Sequence, residues 1–244
     1  MKTTMNKQNQ ILLHLYTFRY LTRKHIQTLL NQKQFNRVTL NNLVQSGYIR
    51  RFYNSKTVTI PAIYSLGIKS RKYLKDNPEF KDINPLLLNR IWREPGLSAQ
   101  FRKHCLLLAD IYVSLKGSGN LRFYTKTMLT GMDHMILPVP DAYFSIDEKP
   151  YFLDIIDELP ARMILRRRIR QYFEYYEENH WQDHNPKPFP SIILICPDER
   201  SKKYLNKFIL RMLEENSDLS FYLSTWEQVK AKGLNPDIMQ KVGV

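Results

Sequence analysis

FNRVTLNNLVQSGYIRRFYNSKTVTIPAIYSL, residues 35–66, is written as a short helix, a turn and a hairpin. Leu40 and Leu43 stand three apart, as on the buried side of a helix, and Ile49 follows beyond Gly47. A glycine there suits the left-handed residue with which many helices end. Residues 48–53 and 60–66 are rich in β-branched and aromatic side chains, so both are predicted to be strands. The polar Asn54-Ser55-Lys56 forms the tip between them. Helix, turn and hairpin, with basic residues at the strand edges, predict a winged helix-turn-helix.

Upstream, residues 8–18 read as a first helix, with Ile11, Leu12, Leu15 and Phe18 in one apolar stripe. Thr22 is placed to cap a second helix that runs to Leu30 and buries Ile26, Leu29 and Leu30. Residues 31–34 make the turn into the third helix, beginning at Phe35. In such an arrangement the third helix enters the major groove of DNA and the wing touches the backbone or minor groove. Its outward positions are Arg37, Val38, Asn41, Asn42 and Gln45. Arginine reads guanine, asparagine and glutamine read adenine, and valine can meet a thymine methyl. Arg50, Arg51 and Lys56 on the wing, with Arg23 and Lys24, are expected at phosphates.

Charge supports the same expectation. The first 75 residues hold 14 Lys plus Arg and no Asp or Glu, which leaves 37 − 14 = 23 basic residues against 23 acidic ones in the rest. The whole formal charge of +14 therefore belongs to the front of the chain. A small domain built this way repels itself, a cost offset beside a polyanion, and the phosphate backbone is the polyanion that fits. Hydrophobic content of 43% with 15 tyrosines indicates packed globular structure. Cys105 and Cys196 form no CxxC pair, so a reducing, cytoplasmic setting is expected. No stretch is apolar and long enough for a membrane span, and no signal peptide is expected.

Residues 68–74 are predicted to be a short basic helix, and composition then shifts. Residues 76–97 hold Pro78, Pro85 and Pro95 and read as a linker with one short apolar helix at 86–92. The expected division is thus 1–75, a linker at 76–97, and a second domain at 98–244. In the latter, helix is predicted at 98–115, 161–179 and 202–215. Strands are predicted at 121–126, 136–146, 151–156, 191–196 and 219–223, with Glu148-Lys149-Pro150 as a turn. The order α-β-β-β-α-β-α-β predicts an α/β arrangement around a mixed sheet.

That order resembles the core of restriction-endonuclease-like folds, and the resemblance becomes concrete at Pro140-Asp141 and Asp154-Ile155-Ile156. In such nucleases, carboxylates at these places hold Mg²⁺ or Mn²⁺ and a lysine assists the attacking water. Ile156 occupies the lysine position here. Arg162, Arg166 and Arg170 share one face of the following helix and could supply positive charge, to DNA or to a partner, but arginine cannot serve as a base. His180, Asp183 and His184 cluster before Pro186 and read as a helix end. His104 reads as a polar core or interface residue, and Trp181 and Trp226 as packing.

The chain as a whole resembles the replication-relaxation family of plasmids and mobile elements in Gram-positive bacteria. The resemblance rests on Ile11-Leu12-Leu13 through Leu29-Leu30, Leu43-Val44-Gln45-Ser46-Gly47-Tyr48-Ile49-Arg50-Arg51, Ile63-Tyr64-Ser65-Leu66-Gly67, Pro140-Asp141, Phe152-Leu153-Asp154 and Arg168-Ile169-Arg170-Gln171-Tyr172. It implies DNA binding at replication or transfer origins by a winged helix joined to a nuclease-like domain. The family pattern places an acidic residue two positions after the third strand's carboxylate and a lysine on the next helix; this chain has Ile156 and Arg168 there. The expectation is therefore a double-stranded-DNA-binding protein without a cofactor. The alternatives are a Mg²⁺- or Mn²⁺-dependent endonuclease using Asp141 and Asp154, and an adaptor for a relaxase or replication initiator. A homodimer is a further partner state, and the sequence leaves open whether it forms on a palindromic site.

Overall fold

A computed structural model describes residues 5–33, 37–53, 60–132, 134–157, 161–215, 218–236 and 239–243. It is a mixed α/β structure with two sheets, and it divides into compact units Met1–Ala109 and Asp110–Val244. No helix among the described residues is long and apolar enough to cross a membrane.

The first unit opens with α1 (Lys7–Phe18), whose N-cap Asn6 accepts from the Asn9 amide. The short strand β1 (Leu21–Thr22) leads into α2 (Arg23–Leu29). Thr22 and His25 close a reciprocal cap, with His25 N–H donating to Thr22 Oγ1 and Thr22 N–H to His25 Nδ1, each at 3.3 Å. Helix α3 (Arg37–Gln45) buries Leu40 and Leu43 and ends at Gly47, whose φ of 77° is the left-handed geometry expected of it. Strands β2 (Ile49–Phe52) and β3 (Ile63–Leu66) pair antiparallel from Ile49↔Leu66 to Phe52↔Ile63. The second strand starts at Ile63, not at Ile60, because Pro61 carries no N–H for a ladder. β1 joins as a third strand, giving the order β1-β3-β2. The hairpin tip, with Lys56, lies outside the described residues.

Helix α4 (Ile68–Asp76) begins at Gly67, where a Cβ would come within 2.3 Å of the Gly47 carbonyl oxygen; only glycine permits that approach. Residues 76–97, expected as a linker, carry three 3-10 segments, Pro78–Phe80, Leu87–Trp92 and Glu94–Gly96. Phe80, Leu88 and Ile91 are buried, since even a proline-punctuated stretch folds back when its apolar side chains recur. Glu94 is 2% exposed and meets Arg19 Nε at 2.8 Å and Arg90 Nε at 3.6 Å. Tyr20 donates its hydroxyl proton to the Glu94 carbonyl. Burial, followed by the nearby Arg19, brings the Arg90 guanidinium down to about 10 despite the carboxylate. Glu79 likewise takes a hydrogen bond from the Asn9 side chain.

Helix α5 (Ala99–Leu115) carries the chain across the division between the units. The second unit then runs β4 (Arg122–Thr125), α6 (Lys126–Leu129), β5 (Ala142–Ile146), β6 (Lys149–Ile155), α7 (Arg162–Glu177) and α8 (His180–His184). It continues with β7 (Ser191–Cys196), α9 (Glu199–Glu215), β8 (Phe221–Thr225), α10 (Trp226–Lys232) and β9 (Gln240–Lys241). The strands form one sheet in the order β4-β5-β6-β7-β8-β9. β4, β5 and β6 pair antiparallel, whereas β6, β7 and β8 are parallel and connected through α7 and α9. A continuous core joins Phe152, Ile192, Leu194, Phe221 and Leu223 of the sheet to Leu165, Ile169, Tyr172 and Phe173 of α7 and Leu205 and Ile209 of α9.

One turn and one strand boundary here differ from expectation. The β5–β6 hairpin turns at Asp147-Glu148, both at positive φ (45° and 70°), so Lys149 and Pro150 belong to β6. Strand β5 is only Ala142–Ile146, because Pro138 and Pro140 keep the preceding residues out of the ladder.

Candidate nucleic-acid interface

The five outward positions of α3 follow from its two buried leucines. With Leu40 and Leu43 turned inward, Arg37, Val38, Asn41, Asn42 and Gln45 are all exposed. Val38 is 55% exposed, which gives this polar face one apolar contact point. On β2, Arg50 and Arg51 stand between the buried Ile49 and the half-buried Phe52, and both are exposed. The Arg51 guanidinium lies 4.8 Å over the Tyr53 ring. Lys24 is exposed and Arg23 half-buried at the start of α2. The stem of Lys69 passes beside Gly47, so a further cation stands at the end of α3.

The second unit brings together the two aspartates expected there. Asp141 precedes β5, and its Oδ2 accepts the Ile155 N–H at 2.8 Å. Its Oδ1 lies 3.9 Å from Lys126 Nζ, and its carbonyl accepts the Lys126 N–H at 2.8 Å. Asp154, on β6 and 9% exposed, is met by Arg168 from α7: Nε to Oδ2 at 2.6 Å and Nη2 to Oδ1 at 3.1 Å. Tyr172, one turn on, donates to Asp154 Oδ2 at 2.9 Å and accepts from Arg168 Nη2 at 3.0 Å. Arg168 Nη1 donates to the Pro138 carbonyl at 2.6 Å, which anchors the loop before β5.

Electrostatics follow the geometry. Burial works to lower the Arg168 pKa, but Asp154, Tyr172 and Asp141 together raise it above the ordinary guanidinium value. Burial first, and the Asp154 carboxylate next, push the Tyr172 phenol well above its usual value. The result is a buried, fork-shaped ion pair closed by a neutral phenol.

A divalent cation needs open carboxylate oxygens. Both oxygens of Asp154 are engaged by Arg168 and Tyr172, and Asp141 Oδ2 by a backbone amide. No group of three or more His, Cys, Asp and Glu able to hold a metal occurs among the described residues. As folded, the pair does not fit Mg²⁺ or Mn²⁺.

Arg162, Arg166 and Arg170 share the predicted face, and that face packs on α9. Arg162 and Arg166 lie 5.0 and 5.7 Å from the Tyr204 ring centre, and Arg166 and Arg170 lie 5.4 and 6.0 Å from that of Phe208. Arg166 Nε also donates to the Tyr204 hydroxyl at 2.6 Å. His184 Nδ1 lies 2.9 Å from the His180 carbonyl, and His180 pairs with Glu178 at 3.1 Å. His104 stacks on Phe101, and Trp181 and Trp226 are buried.

Sequence reading missed Lys126 and the part played by Tyr172. Tertiary packing decides both: the Thr125↔Ala142 register sets Lys126 beside Asp141, and α7 lies over β6 so that Tyr172, one turn after Arg168, reaches Asp154.

A family model described as replication-relaxation matches residues 12–191. No curated protein and no solved structure matches the chain.

Proposed function

The chain belongs to the replication-relaxation family, and on that premise we propose that it is a double-stranded-DNA-binding protein of a plasmid or mobile element. It acts in replication, DNA relaxation or transfer, or their transcriptional control. The first 75 residues are read as a winged helix-turn-helix: α3 reads base edges and the β2–β3 hairpin is the wing. Residues 98–244 are read as a restriction-endonuclease-like scaffold that serves assembly, with a relaxase or replication initiator as its protein partner.

The observation that carries this reading is the pairing of an acid-free, basic front segment with an exposed Arg-Asn-Asn-Gln face on α3. Phosphate attraction supplies affinity and the amides supply discrimination. The filled Asp154–Arg168–Tyr172 cluster supports a non-catalytic role for the second unit.

The test is duplex binding by the full chain across a salt series. If about six phosphates are neutralised, affinity falls by roughly three decades between 50 and 200 mM salt. A flat salt dependence would overturn the proposal. Incubation of supercoiled plasmid with Mg²⁺ or Mn²⁺ is expected to leave it intact. Nicking that Asp141→Ala or Asp154→Ala abolishes would transfer the assignment to an endonuclease.

A further inference from the structure

We infer that the second unit carries a binding site for unpaired nucleobases of single-stranded nucleic acid, on one face of its β4–β5 hairpin. The hairpin register sets Tyr124 opposite Tyr143 and Arg122 opposite Ser145. Residues two apart on a strand share a face, so these four side chains stand together. With Trp181 and Lys187 they line a cavity of about 320 Å³. β4 is the outermost strand of the sheet, which leaves this face approachable from the side.

The wall is aromatic and held in place. Tyr124 and Tyr143 are half-buried, with ring centres 6.0 Å apart and planes 30° from parallel. Trp181 backs Tyr143 at 5.4 Å, and its indole N–H donates to the Lys187 and Pro188 carbonyls at 3.1 Å each. The same bonds fix the backbone of Lys187 at the rim. Arg122 is exposed across the face, and no carboxylate is among the described residues that line the cavity.

Flat aromatic faces flanked by cations are the combination that single strands require: bases stack and phosphates are neutralised. A purely apolar ligand gains nothing from Arg122 and Lys187, and a free phosphate gains nothing from the tyrosines. Paired bases keep their faces inside the helix, so the site selects unpaired ones. It stands apart from duplex reading by the first unit.

The test compares oligonucleotides of about ten residues, dT, rU and an abasic deoxyribose chain, by fluorescence anisotropy with the full-length protein. At least one base-carrying strand binds about ten-fold or more tighter than the abasic one, as a single stacked base allows. The larger preference identifies DNA or RNA as the ligand. Tyr124→Ala removes the preference and leaves duplex affinity unchanged, and Tyr124→Phe retains it. Equal binding of abasic and base-carrying strands, or a preference that survives in Tyr124→Ala, overturns the assignment. Failure of duplex binding would sink the function proposed above without touching this result.

Discussion

Two oxygens on Asp154 meet two nitrogens of Arg168 and one phenol, and that arithmetic governs the centre of the second unit. Removing the guanidinium leaves a nearly buried carboxylate without its counter-ion. Arg168→Ala is therefore expected to destabilise the fold by about 3 kcal/mol, read from urea unfolding. A loss within 0.5 kcal/mol, the ordinary scale of surface changes, would show that the pair is ornamental. Tyr175 makes a different prediction. Its hydroxyl donates to the His134 carbonyl at 2.7 Å, and burial pushes the phenol up to about 12. The unfolded phenol ionises near 10. Its contribution is thus fully present below pH 10 and is lost as pH rises from there through 12. Between those values the melting temperature of the wild type is expected to fall more steeply than that of Tyr175→Phe. Parallel curves would remove Tyr175 from the alkaline transition. Asp141, Asp154 and Arg168 could be picked from the sequence one by one, but the fork between the last two could not. It depends on how α7 lies over β6, which no local spacing encodes.

At the scale of elements, legibility followed periodicity. α1, α3, α7 and β7 lie close to where their apolar patterns put them, and the Thr22 cap was readable from one residue. The short α8 and α10 and the two-residue strands β1 and β9 escaped, since so few residues show no period. Proline marks Glu148-Lys149-Pro150 as a turn in the sequence, but positive φ at Asp147 and Glu148 puts the bend earlier. The α3 face was legible in full, because two buried leucines fix which way a short helix must turn. On the proposed function, Asn41→Ala with Asn42→Ala reduces preference for the cognate site by about ten-fold or more while nonspecific affinity holds. Competition titrations against unrelated duplex DNA measure this. Equal losses on both would mean that α3 does not read bases.

On the scale of the whole molecule, the charge division between front and back was plain in the sequence, but its internal remedy was not. Glu94 lies 75 positions after Arg19 in the chain and still meets its guanidinium at 2.8 Å. Long-range pairings of that kind arise from tertiary packing, to which composition is blind. They also bear on how the gene is dissected. A fragment stopped after Lys75 would discard Glu79 and Glu94 together with Phe80, Leu88 and Ile91, stripping the basic front of its internal counter-charge and part of its floor. Such a fragment is expected to show no cooperative melting transition, whereas one extended to Ala109 melts cooperatively; two equal calorimetric transitions would contradict this. Silence from the shorter fragment in a DNA assay would then report a missing foundation, and deletion alleles in the host should be interpreted with the same distinction in mind.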